Sequence, residues 1–258
     1  MTTMIRRIVA VLPRNGPREA LEAAFGHAAP DHLDWRTASP YVAERERELV
    51  RAAFLPLGAR VLDLGCGEGA TLIHLAAGSA AGSSCTGVDL FEPKLAVARE
   101  RLPACRFVRA SADALPFADA SFDHVIVRDL VHHLESPERA IDEAARVLAP
   151  GGRMDVLEPC RYSPLIALHA ITQPVERGEL RSTRRYLERI LSRRLWLVSV
   201  TRYQPFPIHR LVFHPRFGRP RAATIPAVRA AVGAVEAIAA RFVPPFAWAY
   251  LHLRAERR

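Results

Sequence analysis

The chain has 258 residues, of which 50% are hydrophobic and 24% charged, and it carries a formal net charge of +9. That length is enough for one sizeable α/β domain with a real core, or for two small ones. No apolar run reaches the roughly 20 residues of a transmembrane helix, and the apolar stretch near the N-terminus is too short for a signal peptide, so we expect a cytoplasmic protein.

The first two thirds of the chain alternate between helical and strand patterns. A helix is predicted over residues 41–54, where apolar residues recur at helical spacing until Pro56 and Gly58 end it. Short apolar strands then alternate with helices of about 10 residues, a pattern typical of a parallel sheet with helices on both faces. The predicted strands are Arg60–Leu64, 85–90, 107–108, 124–127 and 153–157, and the predicted helices are 70–77, Glu92–Arg101 and 137–148.

The C-terminal part has a different composition. Residues 1–150 hold 17 Lys+Arg and 20 Asp+Glu, which leaves 36 − 17 = 19 basic and 27 − 20 = 7 acidic residues for 151–258. An apolar stretch broken by prolines comes first, and a closing strand at the end would return the chain to the same sheet. The predicted segments are the apolar stretch 159–181, an arginine-rich helix 182–194, a strand 195–203, an irregular loop 204–223, a helix Pro226–Phe242 and the closing strand 247–254.

The four cysteines do not form a recognisable framework. No two of them form a C-x-x-C pair or stand at zinc-ligand spacing with a histidine, which disfavours disulfides and a zinc module. We therefore expect four small buried apolar side chains and no metal. They are Cys66, Cys85, Cys105 and Cys160.

A glycine-rich turn follows the first predicted strand. Its pattern is Asp63-x-Gly65-x-Gly67-x-Gly69. Glycine lets a backbone approach a nucleotide closely, but this spacing differs from the dinucleotide fingerprint G-x-G-x-x-G and disfavours an NAD-dependent oxidoreductase. The carboxylate of Asp63 would repel a pyrophosphate and suits a cationic ammonium group.

Five motifs in order resemble the class I S-adenosylmethionine (SAM)-dependent methyltransferases of the small-molecule type, which include the quinone-biosynthesis enzymes. The resemblance covers about residues 60–158. The motifs are Val61-Leu62-Asp63-Leu64-Gly65-Cys66-Gly67-Glu68-Gly69, Gly87-Val88-Asp89-Leu90, Ala112-Asp113-Ala114-Leu115-Pro116-Phe117, Ser121-Phe122-Asp123-His124-Val125-Ile126 with His132-His133-Leu134, and Arg146-Val147-Leu148-Ala149-Pro150-Gly151-Gly152.

The resemblance implies an α/β fold with a Rossmann-like, seven-stranded, mostly parallel sheet and an antiparallel last strand. It also implies N-terminal helices over the cofactor site in 1–54, a SAM-binding core in 55–158, and a substrate cap from insertions in 159–258 that share the same domain. In the family, the acidic residue at Asp89 accepts both ribose hydroxyls and that at Asp113 accepts the adenine amine. The expected cofactor residues are Asp63, Gly65, Cys66, Gly67, Gly69, Asp89, Leu90, Ala112, Asp113, Ala114 and Arg128.

The acceptor is chosen by regions that the resemblance covers poorly. Methyl transfer from a sulfonium is an in-line displacement that needs a base only if the acceptor must lose a proton. Ligands bind beyond the carboxyl ends of the strands in such sheets, where the candidates for catalytic roles lie. These are Arg128, His132, His133, Glu158, Tyr162 and His209.

The leading hypothesis is methyl transfer to an oxygen or a carbon of a lipophilic small molecule such as a quinone, polyketide, isoprenoid or lipid-like product. An RNA methyltransferase that uses the basic C-terminal part is one alternative, although no RNA-binding module is recognisable. A non-catalytic SAM-binding scaffold and a SAM-dependent cyclisation are others. Peripheral membrane contact by the basic, apolar C-terminal part also stays open, and the motifs do not fix the oligomeric state.

Overall fold

The structure is a computed structural model that describes residues 22–76, 84–216 and 218–258. The first 21 residues of the predicted N-terminal segment, with the stretch considered as a signal peptide, lie outside the described residues. Seven strands form one sheet in the described part. They are β1 (Arg60–Leu64), β2 (Ser84–Asp89), β3 (Arg106–Arg109), β4 (Phe122–Arg128), β5 (Leu148–Pro159), β6 (Trp196–Tyr203) and β7 (Tyr250–Glu256).

Helices connect and cover these strands. The α-helices are α1 (Pro30–Ala38), α2 (Val42–Phe54), α3 (Ala70–Ala76), α4 (Glu92–Arg101), α5 (Pro137–Val147), α6 (Pro164–Thr172), α7 (Arg184–Leu191), α8 (His209–Val212) and α9 (Pro226–Phe242). Short 3₁₀ helices cover Val131–His133, Pro174–Arg181, Pro220–Thr224 and Pro245–Ala247.

The sheet confirms the predicted fold class. Its strand order is β3-β2-β1-β4-β5-β7-β6, in which β1 to β5 pair in parallel and β7 is antiparallel to both of its neighbours. The order reverses between β1 and β4, and in open α/β sheets ligands bind at such a switch point, beyond the carboxyl ends of the strands.

The central strands are buried on both faces. Leu62 and Leu64 belong to the core on one face, together with residues of α5 and α7, whereas Val61 belongs to the core on the other face, beneath α2. The helix α5 begins at Pro137, which suits the first turn because an N–H there has no intrahelical partner. This two-sided burial explains why the strands have continuous apolar runs.

The insertions of the C-terminal part contain more helix than predicted. The expected irregular loop 204–223 is wrong in part, because α8 and the 3₁₀ helix Pro220–Thr224 lie within it. These turns are held by packing from distant segments, for Trp35 and Val42 form one apolar cluster with Phe213, Ala223 and Val232. Such long-range contacts override the local proline-rich pattern. None of the helices in the described residues is long and apolar enough to cross a bilayer.

The prediction of four unbonded cysteines is wrong for two of them. Cys85 and Cys105 form a disulfide with their Cα atoms 5.0 Å apart. The register pairs Thr86 with Arg106, so the two residues just before that pair stand opposite each other at the edge of the sheet. Spacing along the chain cannot show a contact that strand register creates. Cys66 and Cys160 are free and buried, as expected.

Candidate functional site

The glycine-rich turn leaves β1 with three residues in the left-handed region. Gly65, Gly67 and Gly69 have φ values of +76°, +53° and +84°, which glycine adopts without strain. A Cβ on Gly65 would come within 2.8 Å of Leu130, whereas one on Gly67 would meet only Lys94, at 4.0 Å. The turn therefore packs on one side and presents open backbone at Gly67 on the other, where a ligand can approach closely.

Asp63 lies in β1 just before this turn and is buried. Its Oδ2 has no hydrogen-bond partner among the described residues. Burial raises the pKa of Asp63 to about 7, although Arg128 acts in the opposite direction. A buried carboxylate without a partner is costly, and a cationic group bound beside the turn would remove that cost.

Asp89 ends β2 and holds the turn in place. Its Oδ2 accepts the N–H of Gly67 at 2.8 Å, and its Oδ1 accepts the N–H of Phe91 at 3.0 Å. A carboxylate has about four acceptor positions, so both oxygens can accept further hydrogen bonds. The residue therefore acts as a turn residue and still has capacity for the two hydroxyls of a ribose.

The remaining predicted cofactor residues surround the ends of β1, β2 and β3. Ser111 donates to Asp113 Oδ1 at 2.6 Å. Leu90 and Ala112 are half-buried, and Ala114 is exposed. Burial raises the pKa of the Cys66 thiol well above its usual value, so Cys66 stands in the turn as a neutral, apolar side chain.

Arg128, at the end of β4, belongs to a buried ionic network. Arg36, Arg128 and Arg210 all donate to the carboxylate of Glu46, and Arg210 also donates to the hydroxyl of Tyr250 at 2.8 Å. Burial alone would raise the pKa of Glu46, but the three guanidinium groups hold it well below its usual range. Within the described residues Nη1 of Arg128 has no hydrogen-bond partner, so this buried atom can still donate a hydrogen bond.

His132 and His133 form the 3₁₀ turn that follows β4. Glu158, from β5, accepts the backbone N–H groups of Leu130 and Val131 and lies 2.7 Å from His132 Nδ1. Burial acts to lower the pKa of His132, but Glu158 and its other carboxylate neighbour raise it well above its usual value. Burial and the neighbouring His132 lower the pKa of His133 to about 3.

The other two predicted catalytic residues lie elsewhere. His209, at the start of α8, is buried with its Nδ1 2.6 Å from Glu236 of α9. Tyr162 is 54% exposed and packs against Phe246. Neither has a hydrogen bond or ring contact with the glycine turn or the histidine pair in the described part of the chain.

The sequence also placed Glu158 among the candidates at this rim, but it missed Glu46 and Arg210. Glu46 gave a signal, because helical spacing places it on the apolar face of α2 between Val42 and Leu49, where a charge requires a buried partner. Arg210 gave no comparable signal, since it stands in the predicted loop and reaches Glu46 from 164 positions away in the sequence.

A cavity of about 380 Å³ opens between α2, the segment after β6 and α9. Leu49, Phe206 and Ala237 are among its apolar residues, and His209 and Glu236 are among its polar ones. It is formed by the C-terminal insertion that the sequence predicted to choose the acceptor.

Comparison with known proteins relates residues 62–155 to a family. Residues 62–155 match the family model described as a methyltransferase domain. The chain is 42% identical to the demethylmenaquinone methyltransferase of Thermus thermophilus over 103 residues, which are 38% of this chain and 46% of that protein. Residues 62–155 form a class I SAM-dependent methyltransferase domain. SAM is accordingly the cofactor of this domain.

Two further similarities concern a second curated relative and a solved structure. The chain is 40% identical to the 27-O-demethylrifamycin SV methyltransferase of Amycolatopsis mediterranei over 133 residues, 48% of each chain. The solved structure of a SAM-dependent methyltransferase of Thermotoga maritima, described as a possible histamine N-methyltransferase, has a TM-score of 0.64 and 17% identity, with 92% of this chain and all of that chain covered. The matched segment thus spans about half the length of the curated relatives, and the similarity to the solved structure shows the fold alone.

Proposed function

We propose that the protein is a methyltransferase that uses SAM to methylate an oxygen or a carbon of a lipophilic small molecule. The observation that carries the proposal is the buried Oδ2 of Asp63, which has no hydrogen-bond partner among the described residues, beside the open backbone of Gly67. This pair fits a ligand that is cationic at one end and that approaches the turn closely. SAM supplies an ammonium group there and, at its sulfonium, an already activated methyl group.

The residues around the ends of β1, β2 and β3, which we call the donor side, bind and orient the cofactor. Asp89 would accept the ribose hydroxyls, with the strength of hydrogen bonds to a charged acceptor, and Asp113 would accept the adenine amine. Asp63 would face the ammonium group. The buried Nη1 of Arg128 offers a donor to the carboxylate at the same end of the cofactor.

The cavity between α2 and α9 supports a lipophilic acceptor. Ligand sites are concave and mostly apolar, with a few polar groups that fix orientation, and this cavity has that character. An in-line displacement from an activated donor asks the protein mainly to position the acceptor and to exclude water. The relative named 27-O-demethylrifamycin SV methyltransferase, matched along 48% of its length, is named for a small-molecule substrate, which agrees with this proposal.

The decisive experiment traces the methyl group. Purified protein, SAM labelled in its methyl group and an extract of the source cells are incubated, and the products are separated into organic, nucleic-acid and protein fractions. We expect the label in the organic fraction and none with the Asp89→Ala variant. Label in nucleic acid would instead support the RNA alternative, and SAM binding with no label in any fraction would support the scaffold.

We also propose that the protein contacts membranes at their surface to reach such an acceptor. Large apolar side chains are exposed on α6 and near the end of α9, including Leu168, Ile171, Phe242 and Phe246, which are 54%, 59%, 79% and 60% exposed. Together with the basic C-terminal part they suit an anionic bilayer surface. Co-sedimentation with anionic vesicles should be lost in Phe242→Glu and kept in Val198→Glu, an exposed site on β6. Equal binding by both variants, or none by the wild type, would contradict this contact.

A further inference from the structure

A cluster of histidines and glutamates lies beyond the ends of β4 and β5. The carboxylate of Glu176, in the 3₁₀ helix Pro174–Arg181, is 3.4 Å from His132 Nε2 and 3.6 Å from His133 Nε2. One ligand atom from each of these three residues lies within 4.8 Å of the other two. A Cβ on Gly178 would overlap the carbonyl oxygen of His132, so a glycine there lets the insertion come close enough to bring Glu176 to the histidines.

Glu158 fixes the orientation of the first histidine. Its Oε2 lies 2.7 Å from His132 Nδ1, and its Oε1 is held by the backbone N–H groups of Leu130 and Val131. The Nδ1 position of His132 is therefore occupied, and Nε2 is the atom that faces Glu176. A carboxylate bound to the far nitrogen is the usual support of a metal-binding histidine, because it sets the tautomer and the ring orientation.

Glu176 has no guanidinium or ammonium partner among the described residues. The groups that face it are the three histidines His132, His133 and His169 and the carboxylate of Glu179. The side chains of Glu176 and His133 are 14% and 16% exposed, which leaves a path from solvent to the cluster. These imidazole nitrogens and carboxylate oxygens, which pair with one another in the structure, are also the atom types that bind divalent metal ions.

We propose that His132, His133 and Glu176 bind a divalent transition-metal ion such as Zn²⁺. Two imidazole nitrogens and one carboxylate oxygen form a common ligand set for this ion, with bonds of about 2.0–2.2 Å. In a tetrahedral site with such bonds the ligand atoms are separated by about 3.4 Å, and the two distances to Glu176 agree with that value. The proposal replaces the expectation of no metal, which considered only the cysteines.

The three protein ligands leave a fourth position open, as in catalytic rather than structural zinc sites. The site stands at the carboxyl ends of β4 and β5, where the acceptor is expected. An ion with an open position there would favour ligands that carry an anionic oxygen, such as a phenolate or an enolate. The metal site itself is independent of the proposed methyl transfer.

The test measures metal binding directly. Untagged full-length protein is freed of metal with a chelator and titrated with Zn²⁺ by calorimetry and with Co²⁺ by visible absorption. We expect one equivalent to bind, with the absorption of a tetrahedral Co²⁺ site and without a thiolate band, since Cys66 and Cys160 are buried. Glu176→Gln and His133→Ala should each weaken binding at least a hundredfold, while His27→Gln, at an exposed histidine, should leave it unchanged.

Folding and cofactor binding serve as controls. Thermal unfolding of the metal-free variants, and their SAM affinity, separate a lost ligand from a lost structure. If the folded Glu176→Gln variant binds Zn²⁺ as tightly as the wild type, or if the wild type binds none, the metal site is wrong. If the protein binds SAM but not Zn²⁺, only the metal site is contradicted. If it binds Zn²⁺ but not SAM, only the proposed methyl transfer is contradicted.

Discussion

The two sides of the site neutralise charge in different ways. On the donor side, around the ends of β1 and β2, Asp63 is buried without a hydrogen-bond partner for Oδ2 within the described residues. On the acceptor side, beyond β4 and β5, Glu46 is paired with three arginines, and Glu158 accepts hydrogen bonds from the histidine turn. Among the described residues, Asp63 thus keeps an oxygen without a hydrogen bond, whereas the protein itself supplies the partners of Glu46 and Glu158.

The two sides also differ in how far apart their residues stand in the sequence. The donor side is built from short loops, each directly after a strand. The acceptor side is built from α2, the turn after β4 and two insertions, and Arg210 meets Glu46 across 164 positions. Removing a charged side chain on the donor side should therefore affect cofactor binding, and removing one on the acceptor side should affect the stability of the whole fold.

The largest effect is expected at Glu46. The Glu46→Gln variant keeps the shape of the side chain but leaves Arg128 and Arg210 buried without their counter-charge. Breaking a buried ion pair in this way costs about 3–5 kcal/mol, which urea unfolding measures. The matched control is Glu44→Gln, in the first turn of the same helix, where the partner pair with Arg47 is exposed and we expect a change below about 0.5 kcal/mol. Equal losses of unfolding free energy in both variants would show that the buried pairs of Glu46 stabilise the fold no more than the exposed pair of Glu44.

The next effect concerns the covalent link of the donor side. The disulfide between Cys85 and Cys105 closes a loop with a sequence separation of 20, which corresponds to about 3 kcal/mol of stabilisation in the chain-entropy description. Cys105→Ser should lose this amount under non-reducing conditions. Adding reductant should destabilise the wild type but leave the variant unchanged, and a reductant effect on both would show that another group responds.

A smaller effect should appear in the pH dependence of SAM affinity. Burial raises the pKa of Asp63 to about 7, with Arg128, Asp89 and Arg36 as its charged neighbours. Below that pH the carboxyl is protonated and cannot pair with an ammonium group, so affinity should rise about tenfold from pH 5.5 to 6.5, or 1.4 kcal/mol, and level off above pH 7. Calorimetry at these pH values should find the rise absent in Asp63→Asn. A rise of equal size in that variant would assign it to another group.

The smallest effect is expected in the exposed turn that follows α7. Arg193 and Arg194 pair with Asp142 of α5 at 3.3 and 3.1 Å, and both arginines are more than half exposed. Exposed pairs contribute about 0–1 kcal/mol, so Asp142→Ala should change the free energy of unfolding by less than that. A loss as large as that of Glu46→Gln would mean that surface pairs stabilise the acceptor side.

Local patterns predicted the donor side because its residues follow strands directly. The strand Arg60–Leu64 and the helices Glu92–Arg101 and Pro226–Phe242 form with the predicted bounds, since their apolar spacing and flanking prolines and glycines agree with their packing. The alternating glycines also predicted a turn that the φ values confirm. The roles of Asp63, Asp89 and Asp113 in cofactor binding stay predictions.

The acceptor side could not be predicted in the same way. Glu176 and Arg210 stand in segments without periodicity, and their partners lie on other elements. The disulfide depends on strand register, and the α8 turn depends on Trp35 and Val42 packing against it. Contacts of this kind depend on how distant elements are arranged in the fold. A single sequence indicates that arrangement only through its strongest motifs.

Calorimetric titration of the wild type and of Asp89→Ala with SAM shows whether the ends of β1 and β2 bind the cofactor. We expect one site in the wild type and an affinity at least a hundredfold lower in the variant, because two hydrogen bonds to a charged acceptor are lost, at about 1.5–3 kcal/mol each. The exposed Glu100→Gln on α4 should bind as the wild type does. Equal affinity in wild type and Asp89→Ala would contradict the assignment of the donor site, and with it the proposed reaction.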